Sequence, residues 1–237
     1  MNDWKQVWER HSADKKILDS EDFKKIVLEL KRSNGFDVIG NGLEYQAIID
    51  QCRHFLRKLS MNDTISLSSV YEVGCGSGAN LYVFEHDGIK CGGIDYSDSL
   101  LIGAQKILET QDLTCGEAKD MSIQLKYDAI LSNGVFGYFV DEEYAELVLE
   151  KMYEKTGFSL GITDIPDVDK KEAFLKYRRE MISDYDIRYA NLPKLFYSKE
   201  LFKKFAQSHG LEIEFEQYMM PGYWNSEFCY DCYMYKK

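Results

Sequence analysis

The sequence predicts an α/β protein. It should hold a doubly wound, seven-stranded, mostly parallel sheet with an antiparallel C-terminal strand, an N-terminal helical extension and a small cap insertion. Three observations lead there. From Ser69 onward, short apolar runs alternate with helical stretches, the pattern of a parallel sheet covered on both faces. A glycine-rich turn, Gly74-Cys75-Gly76-Ser77-Gly78, joins the first of those runs to a helix. Two strictly alternating runs close the chain with no room for a crossover helix between them, so they must pair antiparallel.

The elements follow in order. Phe23, Ile26, Val27 and Leu30 make one helical stripe, and Tyr45, Ile48, Ile49, Cys52 and Leu56 make another, so two helices precede the first strand. Strands are expected at 70–73, 89–94, 113–117, 127–132 and 158–164, with helices at about 79–85, 99–109 and 141–154. The last helix opens with Asp141, Glu142 and Glu143, where the helix dipole favours negative charge. The polar stretch 167–198 carries a weak stripe at Phe174, Tyr177 and Met181. Insertions of this kind often hold substrate contacts in α/β proteins. A helix with Leu201, Phe202, Phe205 and Ala206 ends at Gly210, and strands at 211–217 and 227–235 form the terminal hairpin. Residues 1–60 therefore read as a helical extension or lid, and 61–237 as the core, with the cap insertion at about 165–198.

The chain has 237 residues, 45% of them apolar, which is enough to bury a large core and excludes a disordered chain. Its formal net charge of −11 counts against nucleic acid as a partner, because neutralising phosphates needs a basic surface. The start lacks the apolar stretch of an export signal, and no run approaches the ~20 apolar residues that span a bilayer, so a cytoplasmic protein that inserts in no membrane is expected. The six cysteines are then free thiols. Cys229 and Cys232 have C-x-x-C spacing, but within a strand positions three apart face opposite sides, so no metal is expected there.

Glycines are needed in the turn because it requires positive φ and because a side chain would collide with a ligand lying on the backbone. Gly74, Gly76 and Ala79 satisfy a dinucleotide pattern, and Gly74, Gly76 and Gly78 a second cofactor pattern, G-x-G-x-G. Glu72, two residues before the turn, opposes a pyrophosphate and attracts a cationic ligand. Glu72-Val73-Gly74-Cys75-Gly76-Ser77-Gly78, then Gly93-Ile94-Asp95-Tyr96-Ser97, then Tyr127-Asp128-Ala129-Ile130-Leu131-Ser132-Asn133 resembles the class I S-adenosylmethionine-dependent methyltransferase family of small-molecule type. The resemblance covers about residues 69–164 and implies a Rossmann-like fold with S-adenosyl-L-methionine as cofactor.

Under that resemblance, the backbone of Gly74, Cys75, Gly76 and Gly78 would carry the methionine half of the cofactor, Glu72 would fix its ammonium and Asn133 would meet the same end. Asp95 would accept both ribose hydroxyls. Tyr96 and Leu100 would flank the adenine, and Glu117-Ala118 would read its edge, with Glu standing where the family usually has Asp. Cys75 reads as a small apolar turn residue.

Methyl transfer from a sulfonium needs an in-line acceptor, and a general base helps where the acceptor is a hydroxyl or protonated amine. Tyr138 is the only polar side chain in Val135-Phe136-Gly137-Tyr138-Phe139, which borders the methyl in this family, and many relatives place His there. Asp164 ends the fifth strand and is the second candidate, as base or substrate clamp. His11, in the extension, is a third. His54, His86 and His209 read as surface residues. Tyr223, Trp224 and Asn225 would supply aromatic walls and one amide for a polar acceptor. Trp4 and Trp8, spaced i,i+4, read as one packed helix face. The expected activity is methyl transfer to an O or N atom of a small metabolite or glycan precursor. An RNA or protein acceptor, or a cofactor-binding interaction module without turnover, stays open, as does oligomeric state.

Overall fold

The computed structural model describes residues 3–36 and 44–237; residues 1–2 and 37–43 of the expected extension lie outside them. Four helices come first: α1 (Asp3–Trp8), α2 (Lys15–Leu18), α3 (Phe23–Ser33) and α4 (Tyr45–Leu59). The side chains of Asp14 and Asp22 cap α2 and α3 by accepting from Lys16 N and Lys25 N. The two apolar stripes are α3 and α4. Helix α1 is the one whose face Trp4 and Trp8 were expected to share, whereas α2, with four residues, is too short to show a period and the sequence reading missed it.

The alternating part follows as β1 (Ser69–Val73), α5 (Ala79–His86), β2 (Lys90–Asp95), α6 (Asp98–Ile107), β3 (Leu113–Cys115), β4 (Tyr127–Asn133), α7 (Glu142–Lys155) and β5 (Thr156–Pro166). Then come α8 (Lys171–Met181), α9 (Tyr185–Arg188), α10 (Lys199–Ser208), β6 (Glu212–Gln217) and β7 (Cys229–Tyr235). The seven strands lie in the order β3-β2-β1-β4-β5-β7-β6, parallel except for β7, which runs antiparallel to both neighbours. The sheet is the Rossmann-like one expected. Its direction of winding reverses between β1 and β4, which opens a crevice at their carboxyl ends.

Three boundaries differ from expectation. β3 stops at Cys115 because Glu117 starts a 3-10 turn, Ala118–Asp120. β5 runs from Thr156 to Pro166 because β7 pairs along most of its length. β7 begins at Cys229, since Trp224–Phe228 is a 3-10 turn.

Both faces of the sheet are covered. One core joins Tyr71, Ile130 and Ile162 to Val148 and Leu149 of α7 and Phe202 of α10. The other joins Val70, Ala129 and Leu131 to Val27 of α3, Ile48 and Phe55 of α4 and Phe84 of α5. Strands buried on both sides read as near-continuous apolar runs, as they do here. Cys232 lies in the first core and Cys229 in the second, so the two thiols do face apart. No cluster able to hold a metal ion exists among the described residues.

Candidate active site

A cavity of about 410 Å³ sits at the carboxyl ends of the strands, in the crevice the topology creates. Its first wall is the glycine turn. Gly74, Gly76 and Gly78 all take left-handed φ, of 76°, 54° and 78°. The backbone of Gly74 and Gly76 lines the cavity. A Cβ on Gly74 would run into Val135, and one on Gly76 into Asn34, so glycine is needed at both for close approach as well as for φ. Asn34, just past α3, holds the turn: its Oδ1 accepts from Ser77 N and Ser77 Oγ, each at 2.8 Å. Gly78 and Cys75 are not on the cavity wall. Gly78 is the left-handed N-cap of α5 and packs under Leu108 and Ala104. The Cys75 thiol is buried against Gly93, the small apolar role foreseen for it.

The second wall carries acidic side chains. Asp95, ending β2, accepts from Gly76 N and Ser97 N, both at 2.8 Å. Burial raises its pKa to about 6, against those hydrogen bonds. Ser97, not Asp95, caps α6, which leaves Asp95 free to serve the cavity. Tyr96, Leu100, Glu117 and Ala118 all line it. Glu117 Oε2 accepts from Tyr144 Oη at 2.9 Å, a partner the sequence reading did not name.

The floor is built from β1, α5 and α3. Glu72 is 2% exposed; its Oε1 accepts from Asn80 Nδ2 at 2.6 Å, and its Oε2 is buried with no hydrogen-bond partner. Burial raises the Glu72 pKa to about 8, with Asn80 and Lys31 pulling the other way. Lys31 donates to Asn80 Oδ1 at 2.8 Å. Asn133, at the end of β4, donates to Thr163 Oγ1 at 2.9 Å and lies 3.4 Å from Asn80 Nδ2 through its own Oδ1. A buried carboxylate oxygen without a donor is an open position for a cationic or N–H donor, and the turn beside it has backbone bared for a ligand. The residues therefore fit a cofactor that carries an ammonium group.

The remaining end is lined by Trp8, Gly134, Tyr138, Asp164 and Tyr223. A register shift between Ile162 and Ile165 puts Asp164 in the left-handed region, φ 56°, and turns it into the crevice. Its N–H donates to Asp231 Oδ1 at 2.9 Å, Asn225 Nδ2 donates to its Oδ1 at 2.7 Å, and Tyr223 Oη lies 3.4 Å from its Oδ2. Burial raises the Asp164 pKa, opposed by Lys194 and these donors. Tyr138 packs edge-on against Trp4 and Trp8, with Lys194 Nζ 5.1 Å from its ring centre.

Besides Gly78 and Cys75, three expectations need correction. His11 does not reach the cavity; it lies beside Trp8, with Nδ1 3.0 Å from the Ser33 carbonyl oxygen. Trp224 faces away, stacked on Tyr177 at 5.6 Å and under the Arg178 guanidinium at 5.0 Å, where it plugs the segment that carries α8. Asn225 is buried and acts through Asp164 instead of lining the cavity. The sequence reading also missed Lys31, Asn34 and Asn80. Lys31 had a signal, since it continues the α3 stripe four residues after Val27.

Residues 71–156 match the family model described as a methyltransferase domain. This stretch holds Glu72, the glycine turn, Asp95, Glu117 and Asn133. This stretch is similar to a methyltransferase domain, and it carries every motif on which the resemblance to the class I S-adenosylmethionine-dependent methyltransferases rests. No curated protein matches it. Among solved structures it is similar to the plantazolicin methyltransferase BpumL in complex with a triazolic desmethylPZN analog and SAH (TM-score 0.65, 16% identity, 100% of each chain covered). It is also similar to magnesium protoporphyrin IX methyltransferase from Synechocystis PCC 6803 with bound SAH (TM-score 0.60, 15% identity, 91% of this chain and 100% of that one). A third is the amino pentose methyltransferase CalS10 from Micromonospora echinaspora with SAM bound (TM-score 0.58, 11% identity, 81% and 94%). These likenesses bear on the fold.

Glu72 makes stability depend on pH. The folded chain keeps its proton up to about pH 8, whereas an unfolded chain releases it near the ordinary 4.5. Between those values the folded state binds more protons, so stability falls as pH rises, by at most about 1.4 kcal/mol per pH unit from this group. Urea unfolding at about pH 5 and about pH 8 should show that Glu72→Gln loses this part of the slope. Equal slopes in both proteins would contradict the assignment.

Proposed function

We propose that the enzyme transfers the methyl group of S-adenosyl-L-methionine to an oxygen or nitrogen of a small polar metabolite or glycan precursor. The observation that carries this reading is the partnerless Glu72 Oε2 beside a bared glycine turn, with a second carboxylate, Asp95, one strand away. The bound cofactor supplies an electrophilic methyl on a sulfonium. Glu72 takes its ammonium, and the backbone of Gly74 and Gly76 lies along its methionine half. Asp95 accepts the ribose hydroxyls in charge-assisted hydrogen bonds. Tyr96 and Leu100 hold the adenine between them, next to Glu117 and Ala118.

Tyr138, Tyr223 and Asp164 then surround the acceptor. Asp164 would take up the proton that the acceptor's O–H or N–H gives up. Its raised pKa suits that task, because a base with a pKa nearer the working pH takes up a proton more readily. Tyr223 and Asn225 orient the carboxylate. The helices of residues 1–60 serve as a lid and the segment at about 165–198 as a cap, since Trp4 Nε1 donates to Pro193 O at 2.8 Å and so ties one to the other.

A small acceptor is favoured because a cavity of about 410 Å³ is in the range that takes small-molecule ligands. The comparison proteins are, by their descriptions, a magnesium protoporphyrin IX methyltransferase, a plantazolicin methyltransferase that carries a triazolic desmethylPZN analog, and an amino pentose methyltransferase. A net charge of −11 disfavours RNA. No helix of the described residues is long and apolar enough to cross a membrane, and six unpaired thiols fit a reducing, cytoplasmic setting.

Calorimetric titration with S-adenosylhomocysteine tests the reading. The wild-type protein should bind it, and Asp95→Ala should bind it about a hundredfold more weakly. A wild type that ignores this ligand and binds NAD would overturn the cofactor assignment, while unchanged affinity in Asp95→Ala would overturn the ribose role. With an acceptor found by screening metabolites for S-adenosylhomocysteine release, Asp164→Asn should lower kcat by about 10²–10⁴-fold and leave S-adenosylhomocysteine affinity intact. Unaffected turnover would remove Asp164 as the base.

A further inference from the structure

Lys31 is the second unmatched charge at the floor of the cavity. It comes from α3, on the apolar stripe of that helix, and is 2% exposed, yet it lines the cavity. Among the described residues its Nζ makes one hydrogen bond, to the neutral Asn80 Oδ1, and no ion pair. The face of the Phe36 ring lies 4.6 Å from Nζ to the centre, and Cys52, Glu72 and Asp164 act on the ammonium through space without an ion-pair contact. An ammonium so placed has given up its water for one neutral acceptor, an unfavourable arrangement unless an anion completes it. Burial accordingly draws its pKa down.

The same Asn80 amide that accepts from Lys31 donates to Glu72 Oε1. One amide group thus separates a cation with spare donors from a carboxylate with a spare oxygen. An α-amino acid carries a carboxylate and an ammonium on one carbon, the opposite pair of charges. The two sides are complementary in sign.

We propose that Lys31 binds the carboxylate of the cofactor's methionine half, so that Lys31 and Glu72 together clamp an α-amino-acid zwitterion across Asn80. The proposal rests on the methyltransferase reading above and adds a cofactor ligand from outside the matched domain. It also gives α3 a part in cofactor affinity. The segment that seats Asn34 on the glycine turn also delivers the cation.

Calorimetry with two probes tests it: S-adenosylmethionine, and decarboxylated S-adenosylmethionine, which keeps the ammonium and lacks the carboxylate. Lys31→Met should bind the first about tenfold to hundredfold more weakly than wild type does and the second with affinity within about twofold. Glu72→Gln should weaken both. Retained binding of the decarboxylated probe also shows that Lys31→Met is folded. Should that variant not fold, Lys31→Gln, which can still donate to Asn80, carries the same comparison. Equal loss for both probes, or loss for neither, overturns the proposal. A wild type that binds neither probe overturns the methyltransferase reading instead.

Discussion

The site depends on an ionisable carboxyl group held out of water at the carboxyl end of β1. In a sheet buried on both faces, a ligand finds room where strands end and the winding reverses. Glu72 stands at that place, and β4 across the switch point brings Asn133 beside it. Asn80, the second residue of α5, binds Glu72 on one side and Lys31 on the other. Desolvation that raises the Glu72 pKa is the free energy a cationic ligand can recover on binding.

The acceptor end follows a related logic with different means. β5 breaks register with β7, and the break places Asp164 in a backbone conformation that non-glycine residues seldom adopt. Asp231, the partner strand's own buried acid, accepts the Asp164 N–H, and Asn225 fixes the carboxylate from the 3-10 turn before β7. The terminal hairpin is therefore more than an edge: it supplies Tyr223, Asn225 and Asp231 around one carboxylate. From the other terminus, Trp4 and Trp8 pack on Tyr138. Sequence-distant segments thus close over the crevice opened by the central strands.

Much of this was legible in the sequence because it is local. Alternation of period two and period 3.6 gave the βα order, and the absence of a crossover between the last two strands gave their antiparallel pairing. Glu72, Asp95, Tyr96, Leu100 and Asn133 sit at fixed offsets from strand ends, and all of them line the cavity. What the sequence hid is set by packing across long separations. Lys31 meets Asn80, 49 positions away, and nothing in either neighbourhood announces the other. Trp224 looked like a substrate wall because its loop is aromatic, yet the ring goes to Tyr177 and Arg178, which only the folded cap brings near. His11 failed for the same reason: its backbone segment reaches the cavity through Trp8, while its own ring turns to Ser33.

Proton release on ligand binding addresses the charge at the end of β1 most directly. S-adenosylhomocysteine would be titrated near pH 7 in buffers of different ionisation enthalpy, with wild type and Glu72→Gln side by side. A neutral Glu72 that ionises against the incoming ammonium releases close to one more proton in the wild type than in the variant. Identical proton release in the two proteins, with binding intact in both, would contradict a role for this carboxylate in seating the cofactor.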